Sequence, residues 1–292
     1  MTATTLFDWP SAQLQASQQL AQQLTLPEAA PGFADWRQAS ALIAAVALAT
    51  GARVIAISGS QGSGKSTLAQ SLQDTLIAAG QQAAAVSIDD FYLTRKARLE
   101  LAEQVHPLLR TRGVPGTHDW QWLHRTLDDV HRGQTHLRVP TFDKGMDDRV
   151  AERELNAEVL VFEGWCLGVK AQPEAALRTP CNALERDEDA EGKWRTWVNE
   201  QLHHHYESLW QKVDLWVHLR VPGFAQVHAW RSQQEQQIPP AQRMGADQIA
   251  RFIAHYERLT KALWQQTPAT PGFVLALDER HRVTDVTVSL TP

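Results

Sequence analysis

One segment limits what this chain can be more than any other. Gly59-Ser60-Gln61-Gly62-Ser63-Gly64-Lys65-Ser66-Thr67 spells G-x-x-x-x-G-K-S, directly after the apolar run Val54–Ile57 and directly before a helix-forming stretch. Glycines at this spacing let successive backbone N–H groups turn in on an anion. The lysine can reach the β- and γ-phosphates, and the Ser66 hydroxyl can sit on a magnesium ion. The expected ligand is a nucleoside triphosphate, ATP, with Mg²⁺. A glycine turn that binds nothing would not need Lys65 and Ser66 side by side at a helix start.

Composition narrows the partners. With 28 Lys+Arg against 33 Asp+Glu the formal charge is −5, which gives no basic footprint for nucleic acid or an anionic membrane. The length of 292 residues accommodates one α/β domain over 51–292 with a helical extension over 1–50. No bilayer-length apolar stretch and no leader pattern stands at the N-terminus, so a cytoplasmic location is expected. Cys166 and Cys181 lack paired or metal-ligand spacing and read as reduced packing residues. Most of the eleven tryptophans fall in apolar-periodic stretches and read as core or pocket wall.

Helices are expected over Ser11–Leu24 and Asp35–Leu48, separated by Pro27, Pro31 and Gly32. Beyond Arg53 the chain alternates: strand 53–58, helix Lys65–Ala79, a stop at Gly80, strand Ala83–Ile88. That βαβ rhythm predicts a parallel sheet flanked by helices. Further strands are expected at Leu137–Val139, Val159–Phe162, Val213–Leu219 and Phe273–Leu277, and helices at 120–132, 194–211, 223–236 and 247–263. The acidic run Glu185–Glu191 reads as a solvated loop, and His203-His204-His205, pointing three ways on a helix, as a solvated face.

In open parallel sheets ligands sit outside the carboxyl ends of the strands. Strand 83–88 runs into Asp89-Asp90-Phe91-Tyr92, where a carboxylate could face the γ-phosphate and accept a hydroxyl proton. Asp89 is the favoured base, with Asp90 as the alternative. Strand 159–162 ends in Glu163-Gly164-Trp165, where a carboxylate could hold Mg²⁺ or contact the acceptor. Two segments between them, Arg112 to Asp119 and Pro140 to Arg149, mix turn formers with charges of both signs. Asp119 could equally be the N-cap of the helix that follows it. A regulatory NTPase is the competing class, against which stands the absence of an Asn-Lys-x-Asp guanine-reading segment.

Taken together, S-x-D-D-F-Y, R-G-x-P-G-T-H-D, P-x-F-D-K followed by D-R, F-E-G-W-C-x-G and a late L-D-E-R resemble D-glycerate 3-kinase of the plant and fungal type and its bacterial relatives. These belong to the P-loop kinase superfamily with uridine kinase, pantothenate kinase and phosphoribulokinase. The similarity runs from about Arg53 to Val283. It implies a P-loop kinase domain over 51–292 with a helical lid, transferring the ATP γ-phosphoryl to a hydroxyl of a small acceptor, D-glycerate first, with a nucleoside, pantothenate-like or sugar phosphate acceptor as the alternative. By resemblance Asp89 is the catalytic base. Ser66, Asp89 and Glu163 lie at the metal, Tyr92, Arg112, His118, Asp119, Asp143, Lys144 and Arg149 at the acceptor, and Arg231 is a lid arginine closing over the triphosphate.

Overall fold

The computed structural model describes residues 4–5, 19, 36–236, 238, 243–266, 269 and 271–289. Strand β2 (Val54–Gly59) is buried along its whole length, which suits a central strand of a parallel sheet covered on both faces. Alternate residues divide between two cores. Val54 and Ala56 join one apolar cluster, Ile55 and Ile57 the other, as the period of two in a strand requires.

The main sheet has the order β1-β9-β8-β7-β2-β6-β3. Strands β3 (Ala83–Ser87), β6 (Val159–Gly164), β2, β7 (Leu215–Arg220) and β8 (Gly272–Leu277) run parallel. β9 (Val283–Ser289) returns antiparallel on β8, and β1 (Thr4–Thr5) pairs antiparallel with β9. Helix α1 (Trp36–Thr50) lies where a helix is expected over Asp35–Leu48, and its buried residues share a cluster with those of α2 (Lys65–Ala78), the helix after the phosphate loop. The helix expected over Ser11–Leu24 lies outside the described residues apart from Gln19. On the opposite face lie α4 (Trp120–His131), α6 (Lys193–Gln201) and α8 (Ala246–Gln265), with α8 packing also against α7 (Phe224–Gln236). Among the described residues no helix is long and apolar enough to cross a membrane.

Three features differ from the expectation. β6 lies between β2 and β3, so the strand leading to Asp89 is one place removed from the loop strand instead of beside it; neighbours in sequence do not always pair, and the slot is filled by a strand some seventy residues on. Second, the segment around 137–149 forms a separate antiparallel hairpin, β4 (His136–Asp143) and β5 (Asp148–Asn156). β5 is mostly exposed, so it lacks the apolar run that marks a buried strand. Third, the acidic run is no solvated loop. It begins within helix α5 (Ala183–Glu188), where Glu185 is fully buried against Arg258, and Asp189 is buried against Arg195.

Candidate active site

The phosphate loop joins the centre of the sheet to α2, so its amides and the helix N-terminus face the same crevice. Lys65 Nζ donates to the Ser60 carbonyl at 2.9 Å, bridging the loop on itself. Burial pushes the Lys65 ammonium below its ordinary value, with Glu163 and Asp89 pulling the other way. Gly62 has φ +77, and a Cβ there would meet Trp230 Cβ at 2.7 Å, so only glycine fits between the loop and α7. His281 Nε2 donates to the Gly62 carbonyl at 2.8 Å, and the His281 ring stacks on Trp230 with centroids 4.0 Å apart. This clamp is carried by the turn between β8 and β9, where His281 directly follows the L-D-E-R segment.

Glu163, in register with Ile57 on one side and Ser87 on the other, brings a buried carboxylate to the loop. Ser66 Oγ donates to Glu163 Oε1 at 2.9 Å. A hydroxyl and a carboxylate oxygen together are the hard donors Mg²⁺ takes when water and phosphate fill its remaining positions, so the residues fit that ion. Asp89 stands in the short 3₁₀ turn Ile88–Phe91 after β3. Tyr92 donates its hydroxyl proton to Asp89 Oδ1 at 2.8 Å, and Lys144 Nζ donates to Oδ2 at 2.6 Å. Burial pushes the Asp89 carboxyl up, but the Lys144 ammonium and the Tyr92 hydroxyl outweigh it and hold the group below its ordinary value. Asp90 is occupied differently: it pairs with Arg153 at 2.8 Å and caps the Ser87 amide, and burial raises its pKa.

Main-chain bonds tie the acceptor segments to this centre. Leu93 N–H donates to the Thr117 carbonyl at 2.9 Å and Asp119 N–H to the Phe91 carbonyl at 2.7 Å, so His118 stacks on Tyr92 with centroids 4.6 Å apart. Gly113, at φ +135, lies against Tyr256, whose hydroxyl donates to the Arg112 carbonyl at 3.0 Å. The hairpin brings in the cations: Lys144 meets Asp89, and the Arg149 guanidinium donates to the Tyr92 carbonyl at 2.9 Å and to Asp119 at 3.4 Å while lying over the Trp122 ring. The Arg149 Nε–H is buried with no partner among the described residues.

Not every expected residue converges on the centre. Asp143 Oδ1 accepts from Gly145 N–H at 2.7 Å and Met146 N–H at 2.9 Å, so that oxygen shapes the hairpin turn. Arg112 pairs with Asp147 at the hairpin tip and lies over the Phe142 ring. Asp119 is the N-cap of α4, accepting from Trp122 N–H at 3.0 Å, with its other oxygen on Arg149. The Arg231 guanidinium is held by Glu235 at 2.6 Å and lies over Phe252, so reaching a phosphate requires it to leave Glu235. Glu235, Arg153 and Tyr206 carry no sequence signal of their own, because each acts through a partner far along the chain or on a helix face without a motif.

A mostly parallel sheet with this loop at its centre and carboxylates at the ends of β6 and β3 defines a P-loop nucleotide-binding protein. The chain belongs to the kinase family that includes D-glycerate 3-kinase. It is 33% identical to the "Uncharacterized kinase mug58" of Schizosaccharomyces pombe over 218 residues, 70% of this chain and 78% of that protein. It is 29% identical to the chloroplastic D-glycerate 3-kinase of Arabidopsis thaliana over 247 residues, 77% of this chain and 52% of that one, so the match spans about half of the plant protein. The solved D-glycerate 3-kinase of Cryptococcus neoformans var. grubii superposes with a TM-score of 0.69 at 26% identity, covering 82% of this chain and 90% of that chain. The family profile for "Methylmalonyl Co-A mutase-associated GTPase MeaB" matches residues 20–92 only. That stretch holds β2, the phosphate loop, α2 and β3, the part in which the nucleotide-binding apparatus lies.

Proposed function

We propose that the chain transfers the γ-phosphoryl group of ATP to a hydroxyl of D-glycerate. The observation that carries this is Asp89: an ionised carboxylate held by Tyr92 and Lys144 at a strand end, main-chain-bonded to segments bearing cations. A hydroxyl is a poor nucleophile until its proton is directed to a base, and Asp89 takes that part. Arg149 suits the acceptor's carboxylate: its Nε–H is unpartnered among the described residues, and the planar guanidinium receives a carboxylate in two bonds once a terminal nitrogen releases Asp119. Ser66 and Glu163 would hold Mg²⁺, which when bound neutralises charge on the β- and γ-phosphates. Lys65 reaches the same phosphates once it releases the Ser60 carbonyl. Arg231 leaves Glu235 as α7 closes, and the closure excludes water from the reaction. The names of two relatives, both D-glycerate 3-kinases, support the acceptor.

The test is ADP formation across a panel of hydroxy-acids, nucleosides and sugar phosphates. Stimulation by D-glycerate above every other compound is the expected result; ATP hydrolysis indifferent to all of them would replace the reading with a regulatory ATPase.

Two variants probe the two ends of the site. Lys65→Ala removes a charge-assisted contact worth about 1.5–3 kcal/mol, so calorimetry with a non-hydrolysable ATP analogue should show affinity weakened by about 10- to 100-fold. Unchanged affinity and turnover would remove the loop from the nucleotide site. Arg149→Lys keeps the charge but loses the fork, and should raise the acceptor KM about tenfold or more with ATP affinity unchanged. Wild-type kinetics in this variant would make Arg149 a fastener of the hairpin alone.

A further inference from the structure

The helical run after α6 contains a π-turn at Leu202–Tyr206. Such turns are rare, insert one extra residue, and occur frequently at functional sites. This one ends on Tyr206, which is fully buried, with its hydroxyl oxygen 2.9 Å from the Gly116 nitrogen and 2.9 Å from His118 Nδ1. An amide N–H can only donate, so the phenol oxygen accepts from Gly116. The phenol's own proton then needs an acceptor, and among the described residues the one it touches is His118 Nδ1.

Nδ1 is therefore bare. Burial pushes the His118 pKa down to about 4, so the ring is neutral at physiological pH and its single proton sits on Nε2. That Nε2–H is buried and has no partner among the described residues. The same ring lies face to face with Tyr92, whose hydroxyl is bonded to Asp89, and the Asp89 charge acts on it. An orphaned buried donor is costly unless something fills it.

We propose that Tyr206 is a positioning residue that locks His118 as its Nε2–H tautomer, so that the acceptor site presents a neutral hydrogen-bond donor to an oxygen of the acceptor. This rests on the kinase reading of the site and deepens it. Lys144 already supplies positive charge to Asp89, and a second cation would weaken the base further. A neutral N–H orients an oxygen without that effect. In the opposite tautomer Nε2 would carry a lone pair and repel a carboxylate or carbonyl oxygen.

The test begins with long-range ¹H–¹⁵N spectra of the full-length protein at neutral pH, the His118 signals being identified by their loss in His118→Gln. The wild-type ring should show a protonated Nε2 and a bare Nδ1. A protonated Nδ1, or a doubly protonated ring, overturns the proposal. Tyr206→Phe should mix the tautomers and raise the acceptor KM about tenfold or more while the KM for ATP stays put; equal changes in both constants, or none, would reduce Tyr206 to a packing residue. His118→Gln keeps an amide donor and His118→Leu keeps none, so the Gln variant should retain the lower acceptor KM, and equality between them overturns the donor role. Absence of turnover with every acceptor would strike down the D-glycerate reading and the recognition role with it, while the spectrum alone still decides the tautomer.

Discussion

Asp89→Asn is expected to leave ATP affinity unchanged and to lower acceptor-dependent turnover by about 10²–10⁴-fold, the range for loss of a positioned general base. Asn can still accept the Tyr92 proton, but it presents an amide N–H2 where Oδ2 accepts from Lys144, so the Lys144 contact is lost together with the proton acceptor. The wild-type carboxyl is held below its ordinary pKa, so its charged form is fully present at neutral pH and is lost only as pH falls through that lowered value. The acid limb of kcat/KM, which reports the free enzyme, should therefore lie below the ordinary carboxylate range. Asp90→Asn provides the contrast. Asp90 is bonded to Arg153 and to the Ser87 amide, so this change should lower the unfolding midpoint more than it lowers kcat. Measuring ATP affinity and turnover for both variants decides between them: normal turnover in Asp89→Asn with a dead Asp90→Asn would move the base by one residue.

The parts of this site that were legible in the sequence are those whose physics is local. The phosphate loop is a continuous string, and the strand it follows is a continuous apolar run because both its faces are buried. α4 and α8 announce themselves by their periodicity, and Asp119 by its place before α4. What stayed hidden depends on partners distant in the chain. The insertion of β6 between β2 and β3 is set by tertiary pairing, and it is what lets Glu163 reach Ser66 across 97 residues. β5 mixes charged and apolar residues in no strict alternation and with little burial, so nothing in its composition separates it from a loop; its Arg153, unlike Arg149, carries no signal of its own and becomes meaningful only once the hairpin lies against Asp90. Tyr206 required knowledge of a π-turn, which changes which side of a helix a residue occupies.

Ion pairing also buries the acidic run, through the distant Arg258 on Glu185 and the nearer Arg195 on Asp189, and the first of these pairs carries the largest stability change expected here. Arg258→Ala should destabilise the fold by about 3–5 kcal/mol, because it leaves the Glu185 carboxylate buried without its counter-charge. Glu185 accepts from Arg258 Nε at 2.7 Å and from a terminal guanidinium nitrogen at 2.6 Å, and also from the Cys181 amide at 2.9 Å. The guanidinium further donates to the Ala176 and Thr179 carbonyls, at 2.9 Å and 2.7 Å, so one side chain of α8 fastens α5 and the segment before it. Burial raises the Glu185 pKa, but Arg258 and the Cys181 amide outweigh it and hold the value down. A depressed folded-state pKa means that this contribution is fully present above the unfolded carboxylate value and is lost as pH falls through the folded one. Without Arg258 burial is opposed by less, the pKa rises, and the penalty grows above the unfolded value and eases in acid. The gap between wild type and variant should thus be wide at pH 7 and narrow toward pH 4, as read from urea midpoints. A gap that does not change with pH would mean that the lost bonds to Ala176 and Thr179, and not the ion pair, carry the effect. Turnover should report it as well, since α8 also bears Tyr256, whose hydroxyl holds the Arg112 carbonyl and whose ring leaves room at position 113 for glycine alone.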